Sequence, residues 1–88
     1  MVERTVQILN SNGIHARPAA EIVKAAAKFK SDIRLIREDM EVNGKSIMGV
    51  MMLAAECGSM LTLRAEGPDA DSAIETIATL ISSRFGEH

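Results

Sequence analysis

The spacing of apolar positions along the chain changes several times, and each change marks an element. From Val2 to Leu9 the pattern alternates, with Val6 and Ile8 on one side and Thr5 and Gln7 on the other, as in a half-buried strand. Asn10-Ser11-Asn12-Gly13 then reads as a loop. From Ala16 to Lys30 the period lengthens. Ala19, Ile22, Val23, Ala26 and Phe29 form one stripe, while Glu21, Lys24 and Lys28 are polar, which predicts an amphipathic helix. Alternation returns in Asp32 to Arg37, with Ile33 and Leu35 inward, and a further strand is expected over Met40 to Asn43. The Glu38-Asp39 junction suits a short hairpin, although it lacks the favoured Asn-Gly or Asp-Gly pair.

Ser46 to about Cys57 predicts a short helix closed by Gly58. Met60 to Glu66 is the fourth strand, with Leu61, Leu63 and Ala65 on one face. After the break at Gly67-Pro68, Asp69 or Asp71 can cap a last helix whose stripe is Ala70, Ala73, Ile74, Ile77 and Ile81. The order is β-α-β-β-α-β-α. Strands with one polar face imply a sheet covered on one side, which favours antiparallel pairing. The expected fold class is α+β, a two-layer open-faced sandwich with a four-stranded antiparallel sheet and three helices on one face.

Eighty-eight residues fit a single domain over 1–88. Apolar residues make up 47% of the chain and aromatics 2%, so the core must be aliphatic. The net charge of −2 argues against nucleic acid as a partner, since that needs a basic surface. With Phe29 and Phe85 as the aromatic complement, base-stacking platforms are also missing. The lone Cys57 can form neither an internal disulfide nor a thiolate metal cluster, and is expected to be a small buried residue at a helix end. No apolar run approaches the ~20 residues of a membrane span, and no signal-peptide pattern opens the chain. A cytoplasmic protein with no membrane insertion, no metal and no cofactor is expected. His88 is terminal and expected to be disordered.

The chemistry concentrates at Gly13-Ile14-His15-Ala16-Arg17-Pro18-Ala19. This stretch sets a histidine at the mouth of a predicted helix. Backbone N–H groups in a helix's first turn point at an anion, and the helix dipole favours negative charge. Ala16 and Arg17 can supply such donors, and Arg17 adds a guanidinium fork suited to phosphate oxygens. Pro18 sits where no intrahelical bond needs its missing N–H. An imidazole is nucleophilic near neutral pH and can carry a phosphoryl group, though the sequence does not choose between its two nitrogens. Asn12 can orient the ring or simply favour the turn.

A second block, Gly44-Lys45-Ser46-Ile47-Met48-Gly49-Val50-Met51, places Ser46 as an N-cap. A nucleotide-binding P-loop would need glycine at position 39, which is Asp39. Ile47, Met48, Met51 and Met52 crowd a helix too short to bury every side, and flexible thioethers suit a shared docking surface.

The two blocks together resemble the active-site and regulatory-serine signatures of the HPr family, the histidine-containing phosphocarriers of the bacterial phosphoenolpyruvate-dependent sugar phosphotransferase system. The resemblance runs from the first strand to the last helix. It implies strand order 1-4-2-3, Nδ1 of His15 as the phosphoryl acceptor, and Arg17 as the residue that stabilises the phosphate. It implies a carrier that is a substrate of phosphotransferases and not itself an enzyme. The carrier takes a phosphoryl group from enzyme I and gives it to sugar-specific enzyme IIA domains. Ser46 is a kinase target in the family, so an HPr kinase/phosphorylase and a transcriptional regulator join the implied partners. The docking face comprises Ile47, Met48 and Met51, rimmed by Lys24 and Lys45; at Met52 many members carry a polar residue. A monomer is expected. The alternative is a regulatory interaction module on the same fold, in a carbon-catabolite or nitrogen-related branch, controlled through Ser46 or His15.

Overall fold

The computed structural model describes residues 1–86. Its elements are β1 (Val2–Gln7), α1 (Ala16–Ala26), β2 (Asp32–Arg37), β3 (Met40–Asn43), α2 (Ile47–Met52), β4 (Met60–Glu66) and α3 (Ala70–Ser82), followed by a left-handed turn at Arg84–Gly86. The strands form one antiparallel sheet in the order β1-β4-β2-β3. This is the open-faced α+β sandwich that the alternation of polar and apolar positions predicts.

The register explains why one face is covered. Leu35 lies opposite Leu63 and Ile33 opposite Ala65, and all four are fully buried with Leu61. Against them pack Ile22, Ala26, Ile74, Ile77 and Ile81 from α1 and α3. Each such isoleucine or leucine contributes about 1.5–3 kcal/mol on burial. The opposite face is polar. Thr5 and Thr62 sit side by side at 3.5 Å, and Arg64 bridges Glu3 at 2.6 Å and Glu41 at 3.2 Å. Exposed ion pairs of this kind add little to stability, but they keep an open sheet face wet.

Several boundaries differ from the periodicity. The first strand stops at Gln7, although Ile8 still exchanges bonds with Ser59 and Gly58. α1 ends at Ala26, four residues before Lys30. The cause is a long-range anchor: the Asp69 carboxylate accepts the backbone N–H of Lys30 and of Ser31, each at 2.9 Å, and turns the chain off the helix axis. Phe29 still packs half-buried on the core, from the turn. α2 spans only Ile47–Met52, because Ala54 adopts a left-handed φ of 49° and breaks the helical path. Gly58 therefore does not close α2; it turns the loop into β4. Cys57 lies in that loop and is exposed, contrary to the buried position expected for it. Asp69 occupies the N-cap of α3 without a side-chain cap bond, and Asp71 lies inside the first turn, so neither carboxylate caps as expected. His88 lies outside the described residues.

Candidate phosphoryl-accepting site

Gly13 is the hinge on which the site is built. Its φ is +67°, and a Cβ there would sit 2.5 Å from the Ala55 carbonyl oxygen and 2.8 Å from the Glu56 Cα. Only glycine lets the 10–14 loop lie flat on the 55–56 segment. The loop is then fastened. Ile14 N–H donates to the Ala55 carbonyl at 2.8 Å, Gly13 N–H to the Asn10 carbonyl at 3.1 Å, and the buried Asn10 Nδ2 to the Gly13 carbonyl at 2.6 Å. Ile14 and Pro18 are buried on either side of His15. Asn12 is exposed in the turn.

His15 is the N-cap of α1, in extended backbone (φ −95°, ψ −166°), with its carbonyl accepting from Ala19 N–H at 2.9 Å. Its side chain makes no cap bond and is half-buried. Ala16 and Arg17 open the first turn of α1, at the positive end of its dipole, so the helix mouth favours an anion. His15, Ala16 and Arg17 follow one another into the first turn of α1. The Arg17 guanidinium donates from Nη1 to Glu21 Oε1 at 3.2 Å and from Nη2 to the Phe85 carbonyl at 3.0 Å. Glu21 and Phe85 were not expected at this site. The four-residue spacing of Arg17 and Glu21 was available as a signal; the Phe85 contact joins distant segments and was not.

Ser46 caps α2 as expected: its Oγ accepts from Gly49 N–H at 3.1 Å. Val50 is buried beneath, while Ile47, Met48, Met51 and Met52 remain exposed, Met48 at 73%. α1 and α2 pack against each other, which sets this apolar patch beside the His15 helix. The expected basic rim is only partly formed. Lys24 is exposed, but Lys45 turns its ammonium onto the Phe29 carbonyl at 2.7 Å.

The family model described as "PTS HPr component phosphorylation site" matches residues 2–83. The chain belongs to the HPr family. A phosphocarrier protein HPr of Treponema pallidum is 54% identical over 87 residues, covering 99% of both chains. That of Cupriavidus necator is 45% identical over 87 residues, covering 99% of this chain and 98% of its own. Among solved structures, an HPr from Thermoanaerobacter tengcongensis superposes with a TM-score of 0.96 at 46% identity, covering 100% of this chain and 99% of that one. HPr proteins are phosphocarriers of the phosphotransferase system. No described helix is long and apolar enough to cross a membrane.

Proposed function

We propose that the chain carries a phosphoryl group on Nδ1 of His15, taken from enzyme I and passed to sugar-specific enzyme IIA domains. One observation carries this reading: His15 is the N-cap of an eleven-residue helix, with Arg17 in the first turn behind it. The imidazole lone pair attacks phosphorus, the N–P bond forms, and the bond to the donor breaks with its electron pair staying on the donor. Over the whole reaction the phosphoenolpyruvate P–O bond is lost, and the proton the imidazole gives up ends on the methyl of pyruvate. The first-turn N–H groups and Arg17 receive the phosphate oxygens as charge-assisted donors. The protein acts as a monomeric single domain in the cytoplasm.

Ser46 supports a second, regulatory role. It stands at a helix start beside an exposed apolar patch, where a phosphate would add roughly −1.5 to −2 charge to the surface a partner must approach. A kinase would act there, and a transcriptional regulator could read the result. Incubation with phosphoenolpyruvate and enzyme I, followed by mapping of the acid-labile phosphate, tests the main reading. Label on any residue other than His15 overturns it.

A further inference from the structure

We propose that Glu21 is a positioning residue for Arg17, one that competes with the phosphoryl group for the guanidinium and so sets how readily the phosphate is passed on. The inference rests on the His15 reading above. Arg17 stands two residues after His15, at the helix mouth where the phosphate would sit. Glu21 stands one turn further into α1, about 6 Å along the axis. The Glu21 carboxylate, through Oε1, and the Phe85 carbonyl both hold the guanidinium along the helix flank. The second tether comes from a segment in which Arg84 and Phe85 both take left-handed φ values, of 59° and 56°.

The two carboxylate oxygens of Glu21 are not equivalent. Oε1 takes the arginine, while Oε2 is buried with no hydrogen-bond partner among the described residues. When Arg17 turns to the phosphate, Glu21 loses its ion-pair partner with one oxygen already out of reach of water. It also faces the new dianion across the helix turn. Both effects disfavour the phosphorylated form relative to the free one. Lys24 and Lys28 line the same groove and soften the repulsion, without occupying the contact that Arg17 makes. A carrier needs this balance: a phosphate held too firmly would not be released to the next acceptor.

The test is the equilibrium between phosphoenolpyruvate plus free protein and pyruvate plus phosphoprotein. It is read by intact mass at neutral pH with catalytic enzyme I, for wild type, Glu21→Gln, Arg17→Ala and the double variant. Glu21→Gln is expected to raise the equilibrium level of phosphoprotein roughly twofold to fivefold, the range for a partly exposed ion pair, and to slow loss of the phosphate correspondingly. In the Arg17→Ala background the same substitution is expected to lose its effect, which a merely structural role of Glu21 would not do. An equilibrium unmoved by Glu21→Gln, with Arg17→Ala still lowering it, overturns this inference and leaves the His15 reading standing. An equal effect of Glu21→Gln with and without Arg17 also overturns it. Failure of wild type to become phosphorylated at His15 would overturn both.

Discussion

Two helix starts in this molecule carry the residues of interest, and they use their cap side chains in opposite ways. His15 and Ser46 are both N-caps with extended backbone. Ser46 turns its Oγ inward to Gly49 N–H and so stabilises a helix of only six residues. His15 makes no such bond, and its helix of eleven residues is held instead by burial of Pro18, Ala19, Ile22 and Ala26. A short helix cannot stand without its cap, because nucleation is unfavourable and little burial compensates. A longer helix with a buried stripe does not depend on a cap bond to stand. The difference separates a helix held by its stripe from one held by its cap.

The largest expected effect follows at His15. His15→Ala should abolish phosphoenolpyruvate-dependent phosphorylation while α1 stays folded, since that helix is held by burial of Pro18, Ala19, Ile22 and Ala26. A phosphorylated variant would refute the acceptor assignment, and a markedly destabilised one would refute the contrast between the two caps. Next comes Arg17→Lys. It keeps the charge but loses the planar fork that now spans Glu21 and the Phe85 carbonyl. Loss of a charge-assisted hydrogen bond costs about 1.5–3 kcal/mol, a roughly tenfold to hundredfold slower transfer if it acts on the transition state. Single-turnover rates at saturating enzyme I decide it, and unchanged rates would remove Arg17 from phosphate stabilisation and leave it a structural tether.

Much of this contrast was legible in the sequence. The strand alternation of Ile33, Leu35, Leu61 and Leu63 gave the covered face, and Ser46 before an apolar run gave the cap. What could not be read were contacts between segments far apart in the chain. α1 stops at Ala26 because Asp69 holds the amides of Lys30 and Ser31, and nothing near residue 26 announces this. α2 stops at Met52 although Leu53, Ala54 and Ala55 are compatible with a helix. The 55–56 backbone is drawn under Gly13, and Ala54 takes the left-handed turn this requires. Cys57 is exposed for the same reason. At the candidate site, the helix start at His15 was readable from local spacing, whereas the Phe85 carbonyl on Arg17 was beyond reach of any local pattern.

At Ser46 the effect should be smaller and should fall on stability first. Ser46→Ala removes the bond to Gly49 N–H and should cost about 1 kcal/mol, read by denaturant midpoint. Ser46→Asp keeps an acceptor at the cap and suits the helix dipole, so stability should hold or rise slightly. The same charge should slow phosphorylation of His15 by enzyme I, and the deficit should shrink as salt screens it. A deficit that salt does not change would remove the electrostatic account and leave Ser46 as a cap alone.

The smallest expected effect sharpens the comparison with a third helix start. Asp69, at the N-cap of α3, also makes no side-chain cap bond, yet its carboxylate is fully engaged elsewhere. It accepts from Ser31 Oγ and from the backbone N–H of Lys30 and Ser31, and the Ser31 hydroxyl also meets Asp69 N–H at 3.2 Å. The Ser31 hydroxyl bond, then the backbone donors, hold its pKa down to about 2, below the ordinary 3.8. A carboxyl whose folded pKa is depressed stabilises the fold above its unfolded pKa, because the unfolded chain binds the proton more readily. That stabilisation is complete above about pH 4 and is lost as the pH falls through about 2. Asp69→Asn keeps one acceptor but cannot ionise. It should lower the melting temperature modestly at pH 7, and the gap from wild type should close between about pH 4 and pH 2. Phosphorylation of His15 should be unchanged, since the anchor lies at the far end of α1. A gap that stays constant through this pH range would mean that the Asp69 charge contributes nothing, and an accompanying loss of His15 phosphorylation would mean that the two ends of α1 are coupled.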